Sequence, residues 1–133
     1  VDHGPADAWR AALRAELTVA MRAREPAQVA VVRTLIAAID NAEAVDVGRA
    51  PAVDSGRVAA GTIAGGVAGL RAGEVARRAL TAADLREVVA GEIARRRSAA
   101  DDLRAGGRPD RADDLLAEVA LLETLGERLA TLT

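Results

Sequence analysis

Apolar residues return at helical spacing in four stretches of this chain, and proline or glycine stands at the boundaries between them. In residues 6–24, Trp9, Leu13, Leu17 and Met21 recur every four positions, with Ala12 and Ala20 beside them. That spacing predicts one apolar stripe on a helix. Asp7 suits the positive end of the helix dipole, and Arg22 and Arg24 suit the negative end. Pro26 disfavours the helical state of the residue before it and so stops this helix. It is also a favourable first residue for a second helix over 26–44. There Val29, Val31, Val32, Leu35, Ile36 and Ile39 make a broad apolar arc. A connection of about two residues makes the two helices antiparallel neighbours.

The third stretch, 81–105, opens on Thr81 with Asp84 three residues on, a capping-box spacing, and Leu80 and Leu85 flank it as a hydrophobic staple. It runs through Val88, Val89, Ile93, Ala100 and Leu103 until Gly106 and Gly107 end it. Pro109 and Asp110 open the fourth, 109–132, with Asp113 and Asp114 in its first turns. Leu115, Val119, Leu122 and Leu129 form its stripe, and Leu121, Leu125 and Leu132 widen it.

Residues 46–80 differ in kind, since Gly48, Pro51, Gly56, Gly61, Gly65, Gly66, Gly69 and Gly73 leave no long periodic stripe. They read as a long loop, which is uncommon in a compact domain, so the segment is expected either to be disordered or to have a task. Its Ile63, Val67 and Leu70 need cover from the bundle or from another protein. The expected fold is therefore all-α: one domain over 1–133, with a four-helix core of two antiparallel helical hairpins and a long glycine-rich loop between helices 2 and 3. A chain of 133 residues is long enough to bury a real core, since one near 150 hides roughly 70% of its unfolded surface.

Composition narrows the chemistry. There is no Cys, hence no disulfide, thiolate nucleophile or cysteine-based zinc site. The single histidine, His3, stands near the start, away from the helical stripes, so a histidine triad or a histidine-ligated metal is not expected. All 18 basic residues are arginine, which removes Schiff-base and phosphate-loop lysines. No cofactor and no metal are expected. No run of about 18 apolar residues suggests a membrane span. Asp2 and Asp7 replace the basic start of a secretory leader, so a cytoplasmic location is expected.

Three segments together resemble the YqeY-like proteins of the GatB/YqeY family, relatives of the tail of GatB, a subunit of the tRNA-dependent amidotransferase. The first is Leu13-x-x-x-Leu17 with Ala20-Met21-Arg22; the second is Val32-Arg33-x-Leu35 with Ala38-Ile39-Asp40-Asn41-Ala42-Glu43. The third is Glu92-Ile93-x-x-Arg96 with Ala99-Ala100, followed by Gly107-Arg108-x-Asp110-x-Ala112 and Glu118. The resemblance covers most of residues 10–125 outside the glycine-rich insert, which itself is similar to an actinobacterial variant. It implies the helical N-terminal domain of the family. The family's small second domain, which follows a Leu-Pro motif, is expected to be missing after Leu125-Gly126. The resemblance also implies a link to aminoacyl-tRNA metabolism, with a protein partner, and with tRNA as a further candidate. On this reading the chain is a non-enzymatic interaction module; the alternatives are an accessory of a glutamine-dependent tRNA amidotransferase, or a small tRNA-binding or RNA-binding protein.

The candidate contact residues are Arg33, Asn41, Arg96, Arg108 and Asp110, joined by Glu92 and Glu118 as matching polar positions. They can serve a partner or an RNA phosphate, or they can pair between helices and fix how the hairpins dock. Arg33 lies amid apolar neighbours and is expected to need an ionic partner. The run Arg95-Arg96-Arg97 fans by about 100° per residue on a helix and cannot share one face. A net charge of −2 with Trp9 as the only aromatic is a poor match to nucleic acid. Asp101, Asp102, Asp113 and Asp114 flank one corner but lack the ligand spacing of a calcium loop.

Overall fold

The computed structural model describes residues 4–55 and 78–133, and for 45–55 the backbone alone. The described chain forms four helices: α1 (Gly4–Arg22), α2 (Pro26–Ser55), α3 (Ala82–Ala105) and α4 (Pro109–Ala130). The chain is an all-α bundle in which α1 pairs with α2 and α3 with α4, and α2 carries most of the packing between the two hairpins. Among the described residues no helix is long and apolar enough to cross a membrane.

Both hairpins close with the same backbone device. After α3, the Arg108 N–H reaches the Leu103 carbonyl at 2.8 Å and the Gly107 N–H reaches Arg104 at 3.1 Å, with Gly107 at φ +81°. After α1, the Glu25 N–H reaches Ala20 at 3.0 Å and the Arg24 N–H reaches Met21 at 3.1 Å. This is the Schellman motif, whose left-handed residue is normally glycine. In the first hairpin it is Arg24, at φ +58°. A side chain in that conformation costs about 1 kcal/mol. Pro26 then opens α2 with no N–H to lose.

The start of α3 follows its sequence signature. The Thr81 hydroxyl accepts the Asp84 N–H at 3.1 Å, and the Asp84 carboxylate accepts the Thr81 N–H at 2.9 Å. Leu80 and Leu85 are both buried in the core. Thr81 is the capping residue, so the helix itself begins one residue later.

The core joins Trp9 and Leu13 of α1, Val31, Val32, Leu35 and Ile39 of α2, Leu80, the first part of α3 (Leu85, Val89) and the last part of α4 (Leu122, Leu125, Leu129). Nearer the α3–α4 turn, Ala100 and Ala112 are buried outside that cluster. Their small side chains let the two helices of the second hairpin lie close.

Three expectations change. The glycine-rich loop was expected from residue 46, but α2 continues to Ser55 through Gly48 and Pro51. Helix propagation adds one hydrogen bond per residue after nucleation, and Ala44, Ala50 and Ala52 favour it. The remainder of that loop, 56–77, with Ile63, Val67 and Leu70, lies outside the described residues. Met21 was assigned to the α1 stripe but is 51% exposed, while Ala20 is buried. A four-residue repeat drifts by about 40° per step against 3.6 residues per turn, which carries Met21 out of phase with Trp9. Leu132, assigned to the fourth helix, lies beyond the end of α4 and is 49% exposed.

Candidate functional site

The charged side chains that the helices gather hold those helices to one another. On α3, Glu92 and Arg96 are four residues apart and therefore lie on one face. The Arg96 Nη1 donates to the Glu92 carboxylate at 2.7 Å and to the Glu92 carbonyl at 3.1 Å. Its Nε donates across to Glu118 of α4 at 2.8 Å. Arg95 also grips Glu92. Burial pushes the Glu92 carboxyl up, but hydrogen bonds from Arg96 and Arg95 and their charges outweigh it, so its pKa lies below the ordinary glutamate value. Burial likewise pulls Arg96 down, and the bonds to Glu92 and Glu118 more than reverse it.

A second clamp joins α1 to α2. Arg10 is buried, and its Nε donates to Asp40 at 2.9 Å. Its Nη2 meets Glu43, itself buried, and its Nη1 meets Asp7 one turn back at 3.2 Å. Burial lowers the Arg10 pKa, while the bonds to Glu43 and Asp40 raise it further than burial lowers it. Planar guanidinium suits this work because one fork can serve carboxylates on two sides. Arg97–Glu123 and Arg104–Asp113 add exposed bridges between α3 and α4, and Arg128–Glu16 links α4 to α1.

The predicted contact residues are divided among three places. Arg96, with Glu92 and Glu118, lies inside the α3–α4 clamp. Arg33 and Asn41 lie on the outward face of α2, both exposed. Arg108 and Asp110 lie exposed at the α3–α4 turn, where Arg108 precedes the first residue of α4 and makes no side-chain cap. The expectation that Arg33 needs an ionic partner is corrected. The buried arc of α2 is centred on Val32, Leu35 and Ile39, and Arg33 points well away from it at 100° per residue.

The Arg10 clamp has no local sequence signature, since Asp40 and Glu43 fall within the second resembling segment and Arg10 precedes the first. The available signal was an acidic pair, Asp40 and Glu43, three residues apart on one helix, with arginine at positions 10 and 14 beside the stripe of the helix paired with it.

Two surface depressions accompany these clamps. A cleft of about 780 Å³ lies over Arg10, Arg14, Asp7 and Asp40. A groove of about 500 Å³ lies between α3 and α4, floored by Val89, Ala90, Ile93, Gly126 and Ala130, with Trp9 at its base. The Trp9 indole nitrogen is buried without a hydrogen-bond acceptor. Among the described residues no group of three or more His, Cys, Asp or Glu is placed to hold a metal ion, and Asp113 is engaged by Arg104.

Fold and clamps define a small all-helical bundle whose gathered charges join its helices. Comparison with protein-family models, with curated proteins and with solved structures finds no match.

Proposed function

We propose that this chain is a non-enzymatic helical interaction module and that its partner-facing surface is the outward face of α2. One observation carries the reading. Ala30, Arg33, Ala37, Asn41 and Ala44 recur at three- and four-residue spacing, and all five are exposed. Arg33 has no ionic partner among the described residues, whereas Arg10 and Arg96 are spent on holding helices together. Alanines let a second helix approach closely, and a guanidinium and an amide two turns apart fix its register by hydrogen bonds.

The motifs quoted from the sequence support a proposed kinship with the GatB/YqeY family, and with it a role in aminoacyl-tRNA metabolism in the cytoplasm; this part of the proposal rests on the motifs alone. Its narrower forms are an amidotransferase accessory and a tRNA binder. The test is affinity capture from native cytosol with the wild-type chain and with Ala37→Arg, which crowds the proposed face without touching the core. A protein held by the wild type and lost by the variant supports the reading, and amidotransferase subunits in that set support the accessory form. A tRNA gel shift that weakens steeply with salt supports the RNA form. Identical capture by both chains, or turnover by the purified chain alone, overturns the proposal.

A further inference from the structure

The groove between α3 and α4 has an apolar floor and one unpaired charge of each sign on its rims. On the α3 side stands Arg86 and on the α4 side Glu127, both exposed and neither in an ion pair among the described residues. Every other charge lining the groove is spoken for, since Glu123 is bridged by Arg97. The helices are closely set here, for a methyl group added at Gly126 lies 3.2 Å from the Val89 side chain. That contact puts residue 89 level with residue 126, and the hairpin is antiparallel. Arg86 and Glu127 therefore lie within about one helical turn of the same height, on opposite rims.

We propose that this groove binds a second copy of the chain about a two-fold axis running along the helices. Such an axis lays α3 of one protomer over α4 of the other without changing height. The surface must then be self-complementary, because in a two-fold interface residue i meets j and j meets i. The groove meets that demand: Arg86 of each protomer comes over Glu127 of the partner subunit, twice per dimer. The apolar floors close on each other, with Ala90 and Gly126 leaving room for close approach. A single charge of one sign on both rims fits a heterologous partner instead, and that is not what the rims carry. This surface is separate from the outward face of α2, so the dimer stands or falls independently of the module reading.

The test uses charge reversal and sedimentation equilibrium on the intact chain. Wild type is expected to dimerise. Arg86→Glu places glutamates opposite one another at both contacts, and Glu127→Arg does the same with arginines. Each variant alone is expected to weaken the dimer by about tenfold or more, because two attractive pairs become repulsive. Mixing the two variants restores attraction at both contacts, so the mixture is expected to form a heterodimer close to wild-type strength. Unchanged helical circular dichroism in both variants, whose altered residues are exposed, separates lost association from lost folding. A wild type that stays monomeric throughout the micromolar range overturns the proposal. So does a dimer that neither variant weakens, or a mixture that stays monomeric while wild type dimerises.

Discussion

Replacing Arg96 by methionine tests what holds the second hairpin near its turn. Methionine keeps most of the length of the side chain and removes the fork. Three hydrogen bonds are lost, one to Glu118 at 2.8 Å and two to Glu92 at 2.7 and 3.1 Å. A hydrogen bond to a charged group contributes roughly 1.5–3 kcal/mol when dry. Here the Arg96 side chain is 14% exposed and that of Glu118 34%, so water restores much of what Glu118 loses. Glu92 fares worse, being 11% exposed and left with Arg95 alone, itself 69% exposed. A net loss of about 2 kcal/mol follows, below the 3–5 found for a fully buried pair broken on one side. The core cluster draws on α3 near Leu85 and Val89 and on α4 near Leu122 to Leu129, so the loss falls on the part of the hairpin nearer the turn. Amide hydrogen exchange over residues 94–118 should accelerate about 30-fold, while amides of α1 and α2 change little. The double replacement Glu92→Met with Arg96→Met should recover much of the loss, because no buried charge is then orphaned. Exchange within about twofold of wild type in the single variant refutes the reasoning and makes the clamp an ordinary surface pair.

Three further outcomes can be checked. The Glu92 carboxyl has a folded pKa below its ordinary value of 4.5, so its contribution is complete well above that value and is lost as pH falls past it and through the folded value; Glu92→Gln should flatten the acid limb of the Tm–pH curve, and an unchanged slope places the acid sensitivity elsewhere. Arg24→Gly should raise stability by about 0.5–1 kcal/mol in urea titrations, since glycine adopts the left-handed turn freely; a lower midpoint means the Arg24 side chain contributes more than its backbone costs. Thr81→Ala should lose about 1 kcal/mol by removing one half of the capping box, and an unaltered melt means the staple of Leu80 and Leu85 sets that boundary alone.

Much of the fold was legible because its punctuation is local. Pro26, Thr81 with Asp84, and Gly107 with Pro109 each set a helix end through their own backbone chemistry, and the helices begin or end within a residue or two of them. The end of α2 was not legible, because Gly48 and Pro51 are breakers by propensity and a helix in progress passed through both. Met21 shows a second limit: a regular spacing of four looks like a stripe on paper and becomes a spiral on a real helix. The candidate site was read in part. Glu92, Arg96 and Glu118 were singled out together, and their pairing follows from the antiparallel register of α3 and α4. Arg10 and Glu43 are 33 residues apart, and their meeting depends on how α1 lies against α2, which neither local sequence contains.

Because the clamps are built from arginine, the bundle has an unusual relation to alkali. The chain has no lysine, tyrosine or cysteine, and Arg10 and Arg96 hold their protons more tightly than free arginine. From the end of histidine titration to the onset of guanidinium deprotonation, about pH 8 to 12, no side chain changes its charge. The pattern of plus and minus that ties one rod to the next is the same in mild base as at neutrality, and only the acid side can loosen it.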